Sequence, residues 1–208
     1  MNNVVLLSYD GKCNINFDEE PDFKIIVNTW NKNLPRFTHK NEAIFYSETE
    51  RFGEVMWIQS KVLRDLGIEY DYVISMNHDL KINVSSINKL FRVAKNNELD
   101  CFSPAMTQKN VNHHMFVSKK TKGMRRQPWI EMMMIGFSKR LYDRVLPHLD
   151  LLYGELNLVS GWGIDRDLIG GIIKRNKLKC FTIDSITMTH LKSTTSGKIT
   201  WRNGITSK

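Results

Sequence analysis

The sequence predicts an α/β domain with a mixed, mainly parallel central sheet flanked by helices. Three observations carry that reading. Short apolar, β-branched runs bounded by turn residues recur, among them Val4–Leu7, Phe23–Thr29 and Tyr70–Met76. The segment 48–66 instead places Phe52, Val55, Met56, Ile58, Val62, Leu63 and Leu66 at helical spacing. Leading straight into the next strand, it makes the order strand, helix, strand, which is that of a right-handed crossover between parallel neighbours. A length of 208 residues suits one domain with a sizeable core.

In chain order, Val4–Leu7 is the first strand and Tyr9-Asp10-Gly11 its turn, where a nucleotide base would stack on Tyr9; a plain turn is the bland alternative. Residues 14–22 read as a polar, acidic loop, Phe23–Thr29 as a strand, and 30–47 as loop with a short strand. The helix over 48–66 ends before Gly67, where a C-cap belongs. Tyr70–Met76 is then a buried strand that stops abruptly at Asn77-His78-Asp79. Ser85 or Ser86 is expected to cap a helix carrying Ile87, Leu90, Phe91 and Ala94, followed by a strand over 99–102 and coil over 107–127. Trp129–Phe137 reads as an apolar strand interrupted by Glu131, and Ser138 as the cap of a helix running to Pro147. Ser160–Asp167 introduces a helix with Leu168, Ile169, Ile172 and Ile173 that ends in Lys174 and Arg175. A strand over 178–184 and the run Ile186–Lys192 complete a domain of residues 1–192, and 193–208 form a small, polar, mobile tail.

The formal net charge of +8, with a pI near 9.4, favours an anionic partner: nucleic acid, an anionic small substrate or an acidic surface. Cys13, Cys101 and Cys180 are far apart and odd in number, which fits buried free thiols in a reducing compartment. With neither a leader-like start nor a run of membrane-spanning length, the expected location is a cytoplasm.

Four places carry chemistry. Asn77, His78 and Asp79 stand at the open edge of the sheet, where α/β folds hold ligands, and a carboxylate there suits a divalent metal that in turn holds a diphosphate. The plain alternative is a turn in which Asp79 caps the next helix. Glu131 lies inside so apolar a run that it must be paired, hydrated or functional. Gly161 and Gly163 let backbone pass close to a ligand walled by Trp162, with Asp165 at the helix start as N-cap, as base, or as both. His113, His114, Lys119, Lys120, Lys122, Arg125 and Arg126 form a basic segment that suits an anionic acceptor, or is simply a solvated loop.

Taken together, Asn77-His78-Asp79, Gly161-Trp162-Gly163-Ile164-Asp165 and Met188-Thr189-His190 resemble the motifs of GT-A-fold glycosyltransferases, in the order seen in galactosyltransferases that bind manganese. A closer similarity covers roughly two-thirds of the chain. It runs through Met56-Trp57, Tyr70-Asp71-Tyr72, His78-Asp79-Leu80, Ser103-Pro104-Ala105, His113-His114, Trp129–Met133, Phe137-Ser138, Gly161–Asp165 and Asp184–His190, which look like the domain-of-unknown-function 707 family. That family has an acidic residue where this chain has Asn77, which removes one charge from the metal motif.

The resemblance implies a single GT-A-like (Rossmann-like) domain. It also implies a nucleoside-diphosphate sugar as donor, and Mn²⁺ or Mg²⁺ on Asp79 and His190. Asp165 would be the base for an acceptor hydroxyl and Glu131 an orienting group, with inversion at the anomeric carbon. Tyr9, Asp10, Lys61, Asn77, His78, Trp162, Gly163 and Lys192 would line the donor. The acceptor would meet His113, His114, Lys119, Lys120, Arg125 and Arg126, whether it is hydroxymethylated phage DNA or a saccharide or lipid glycan. The competing expectation is a catalytically silent module that binds nucleotide sugar or polyanion. A metal-dependent nuclease or phosphatase would want more carboxylates near Asp79 than the sequence offers.

Overall fold

The computed structural model describes residues 2–9, 15–29, 42–46, 52–107, 114–119, 123–157 and 163–191. Its elements follow in the order β1 (Asn3–Tyr9), β2 (Ile15–Asn16), β3 (Lys24–Thr29), β4 (Glu42–Tyr46), α1 (Phe52–Asp65), β5 (Tyr72–Met76), β6 (Leu80–Asn83) and α2 (Val84–Asn96). Then come β7 (Cys101–Met106), β8 (Met124–Arg126), β9 (Met134–Ser138), α3 (Lys139–Leu149), α4 (Gly170–Arg175) and β10 (Cys180–His190).

These strands form one mixed sheet in the order β2-β6-β10-β7-β9-β5-β1-β3-β4, with β8 added on β10. β1 is parallel to β3 and β5, β3 to β4, and β7 to β10. β9 runs antiparallel between β5 and β7. The strands β1, β3, β4, β5, β7 and β10 therefore share one direction, and their carboxyl ends share one edge. Every residue of β1 is buried, as a strand covered on both faces must be. Its alternate side chains feed two cores: Val5 and Leu7 pack with Ile87, Leu90 and Phe91 of α2, whereas Val4 and Leu6 pack with Leu63 of α1, Tyr142 of α3 and Ile172 of α4.

Several expected boundaries move. The helix expected over 48–66 is described from Phe52, and it ends at Gly67, whose φ of 58° lets the backbone close the last turn through Ile68 N–H to the Leu63 carbonyl. Ser138 caps α3 as expected, accepting from Leu141 N–H at 3.3 Å. Neither Ser85 nor Ser86 caps α2: Asn83 occupies that position, and the Ser85 hydroxyl bonds Asp18 instead. The strand expected over Trp129–Phe137 shrinks to Met134–Ser138, because residues 129–133 turn toward the carboxyl edge, where Asn77 N–H donates to the Met133 carbonyl. The strand expected over 178–184 and most of the run that follows it form one strand, β10, with a register irregularity against β7 between Ile183 and Thr187. Cys101 and Cys180 are free and buried, as read from the sequence, and the structure makes them cross-strand neighbours, while Cys13 lies outside the described residues, as does the tail 193–208.

Asp184 organises the middle of β10. Its carboxylate is fully buried and accepts both Arg125 Nε at 2.6 Å and Arg125 Nη2 at 3.0 Å, together with Lys119 N–H at 3.1 Å. Arg125 also donates to the carbonyls of Met115 and Val117, so one guanidinium ties β8, β10 and the 114–119 segment together. Removing Arg125 takes away the guanidinium that faces a buried carboxylate. Arg125→Ala is expected to lower unfolding free energy by about 3–5 kcal/mol, read as a shift of the urea midpoint at unchanged m-value; a loss under about 1 kcal/mol would show that water replaces the arginine.

Candidate active site

Residues distant in sequence meet at the carboxyl edge. β5 stops at Met76 and delivers Asn77, His78 and Asp79, after which the chain turns back as β6. β10 arrives beside β6 in antiparallel register, His190 opposite Leu80, and Leu191 N–H donates to the Asp79 carbonyl at 2.8 Å. That register places the His190 ring on the Asp79 carboxylate, Nε2 to Oδ2 at 3.1 Å, with both side chains nearly buried. Asp79 therefore does not cap α2, because a strand intervenes.

Two further carboxylates join them. Glu131 lies in the turn before β9, and one of its oxygens, Oε2, is buried without a hydrogen-bond partner among the described residues. Burial pushes the Glu131 carboxyl up to about 7, the Asp165 charge pushes it the same way, and His190 opposes them. Asp165 comes from the helical run that leaves the edge, Ile164–Ile169 in π-helical turns continuing into α4. The residue at the start of that run is Gly163, not Asp165: Gly163 has φ 85°, and its carbonyl accepts Asp167 N–H at 2.8 Å. Asp165 Oδ1 accepts the N–H of Arg166 at 2.8 Å. The structure thus brings Asp79, Glu131, Asp165 and His190 into one neighbourhood, which suits proton transfer and cation binding.

Other expected contributors stand elsewhere. Tyr9 ends β1 at the same edge, but its ring is buried in the core and presents no stacking face. Lys61 sits over the Trp57 ring at 4.8 Å, where Trp57 Nε1 donates to Asp150, so it belongs to the packing of α1. Arg125 is held inward by Asp184 and is not offered to an acceptor, whereas Arg126, next on the strand, is exposed. Lys119 is exposed, its backbone bonded to Asp184. His114 opens a short 3₁₀ turn. Asp10, His113, Lys120, Trp162 and Lys192 lie outside the described residues.

One feature escaped the sequence reading. Arg126, Trp129, Arg166, Lys174 and Lys177 line a groove of about 560 Å³ between β8 and α4. Lys174 looks like an ordinary cation on a helix C-terminus, and nothing in one dimension reveals that Arg126 and Trp129 face it.

Solved structures similar to the chain include the following two. GalNAc-T7 with UDP, GalNAc and Mn²⁺ matches with a TM-score of 0.55 at 10% identity, over 92% of this chain and 44% of that one. S. aureus TarS, residues 1–349, matches with a TM-score of 0.45 at 14% identity, over 69% of this chain and 48% of that one. The chain thus spans less than half of either. No family model matches it and no curated protein does, so membership of the 707 family is not shown. At such identity the GalNAc-T7 match shows the fold, which is GT-A-like.

The raised Glu131 carboxyl has a definite pH signature. In the window from its ordinary 4.5 to about 7, folded Glu131 keeps a proton that the unfolded chain has lost, so stability falls as pH rises through that window. Glu131→Gln is expected to match wild type near the lower end and to exceed it above the upper end, by on the order of a few kcal/mol. Urea unfolding across that range checks this, and parallel curves for the two proteins would place Glu131 in water.

Proposed function

We propose that the chain is a glycosyltransferase, moving a sugar from a nucleoside-diphosphate sugar to an acceptor hydroxyl. The observation that carries the reading is the convergence of Asp79, His190, Glu131 and Asp165 at the carboxyl edge of a GT-A-like sheet. The GalNAc-T7 structure of that fold contains UDP and Mn²⁺. The domain is residues 1–192, with 193–208 as a tail.

The donor set fits a nucleotide-bearing cation. Asp79 and His190 supply one carboxylate and one imidazole 3.1 Å apart, a mixture that suits Mn²⁺ better than the all-oxygen preference of Mg²⁺. Among the described residues no group of three or more His, Cys, Asp or Glu is placed to hold a metal ion, so a cation on Asp79 and His190 would draw its other ligands from diphosphate oxygens and water. A bound ion supplies positive charge against the departing diphosphate. Asn77 adds no charge to this set, and its carbonyl oxygen or that of the turn serves a ribose hydroxyl.

The two remaining carboxylates divide the proton work. Glu131, near neutrality in its pH behaviour, holds a sugar or acceptor hydroxyl as donor or acceptor of a hydrogen bond. Asp165 takes the proton from the attacking hydroxyl. Attack in line with the departing diphosphate inverts the anomeric carbon. Gly163 and Trp162 shape the donor cradle with His78, and Lys192 adds charge at the diphosphate. The net charge of +8 favours an anionic acceptor, hydroxymethylated phage DNA or an acidic glycan.

The test is release of free nucleoside diphosphate from UDP-, GDP- and CDP-sugars, with manganese or with chelator. Release from one donor, dependent on manganese, is expected. Asp79→Ala and His190→Ala should each abolish it together with manganese-dependent nucleotide binding, while Asp165→Asn should keep binding and lose at least about a hundredfold in rate. Folded protein that releases nothing from any donor yet binds nucleotide would be a silent module; unchanged nucleotide affinity in both alanine variants would sink the metal assignment.

A further inference from the structure

We propose that the groove between β8 and α4 is the acceptor subsite and that it takes a short acidic saccharide, one carrying phosphate or carboxylate groups. The word acceptor rests on the glycosyltransferase reading; the binding itself does not. Four cationic side chains line the groove, and Asp167 is its single anionic one. Arg166 is paired with Asp167 at 2.9 Å, whereas Arg126, Lys174 and Lys177 are exposed and make no ion pair with any described residue. Three cations lining one concavity without a counter-ion among the described residues mark it as a place for negative charge.

Trp129 gives the groove its apolar wall. Its ring packs T-shaped against Phe116, centroids 5.2 Å apart at 82°, which holds the indole in place where it lines the groove. The helix passes very close to it: a Cβ on Gly170 would come within 3.0 Å of the Trp129 Cβ. The missing side chain at Gly170 therefore sets the depth of the groove.

Position ties the groove to the carboxylates. Arg166 follows Asp165 directly, and Trp129 lies two residues before Glu131. From Asp167 to Arg175 the helical wall extends at most roughly 12 Å at the α-helical rise per residue, long enough for two sugar units leading away from the site. Shape favours saccharide over nucleic acid. Single strands are held on several aromatic platforms in succession, and this groove has one; its volume is that of a small-ligand cleft, not of a surface that follows a duplex.

Calorimetric titration of the full chain tests this with oligogalacturonate, a phosphomannan oligosaccharide, neutral maltotetraose and oligothymidylate at two salt concentrations. The acidic saccharides are expected to bind at least about tenfold tighter than maltotetraose. Lys174→Glu with Lys177→Glu should erase that preference and lower the salt dependence, and Arg126→Gln alone should reduce it without reversing any charge. Trp129→Ala should weaken acidic and neutral saccharides alike. Equal affinity for maltotetraose, an unchanged preference in the charge variants, or oligothymidylate binding tighter than both acidic saccharides would each overturn the proposal. Nucleotide affinity with manganese, measured on the same samples, separates the two readings: its loss in wild type with saccharide binding intact would remove the glycosyltransferase and leave the groove.

Discussion

The short antiparallel ladder between the end of β10 and β6 is the constraint on which the site depends. It is two residues long, Thr189 to Lys81 and His190 to Leu80, and the Leu191 amide closes it on the Asp79 carbonyl. A slip of one residue would turn the histidine to the opposite face of the sheet. Because β6 follows Asp79 directly, the turn at Asn77–Asp79 is held between two strands, β5 behind it and β6 ahead. The imidazole and carboxylate, 111 residues apart in sequence, are thus placed by backbone register before any ligand arrives. The buried Asp184 further back on β10 anchors the same strand through Arg125.

Much of the fold was legible in one dimension. The apolar runs of β1, β3 and β5 and the three-and-four spacing of α1 are local signals, and local signals survive in a sequence. Asp79 and Glu131 stood out because a charged group ended or interrupted an apolar run, Asp165 because it follows Gly161-Trp162-Gly163, and His190 through Met188-Thr189-His190. What failed was tertiary in origin. Tyr9 reads as a turn residue available for stacking, but packing on both faces of β1 draws its ring into the core. Lys61 reads as a free cation, yet the Trp57 ring sits beneath it. Ser85 reads as a cap, while the hydroxyl finds Asp18 from a segment 67 residues away. No property of these residues themselves discloses such partners.

The basic character of the chain also divides on inspection of the structure. Arg125 and Arg126 are adjacent and equivalent in sequence, but alternation along β8 sends one to the buried Asp184 and the other outward. Arg140 is likewise engaged with the buried Asp100, through two bonds of 2.8 Å. Positive charge on β8 and α3 thus serves partly to neutralise buried carboxylates. Arg126, Lys174 and Lys177, which make no ion pair with a described residue, share one groove. An overall excess of charge says that an anion is favoured; only the sorting says where.

The central claim is that Asp79 and His190 form the cation site and that Glu131 and Asp165 stand beside it. Paramagnetic broadening tests it most directly, with protein labelled at its six histidines and titrated with manganese in the presence of UDP. The account predicts that the His190 ring signals vanish first, ahead of those of His148 on α3. Broadening that begins at another histidine, or that spreads evenly over all six, would contradict it.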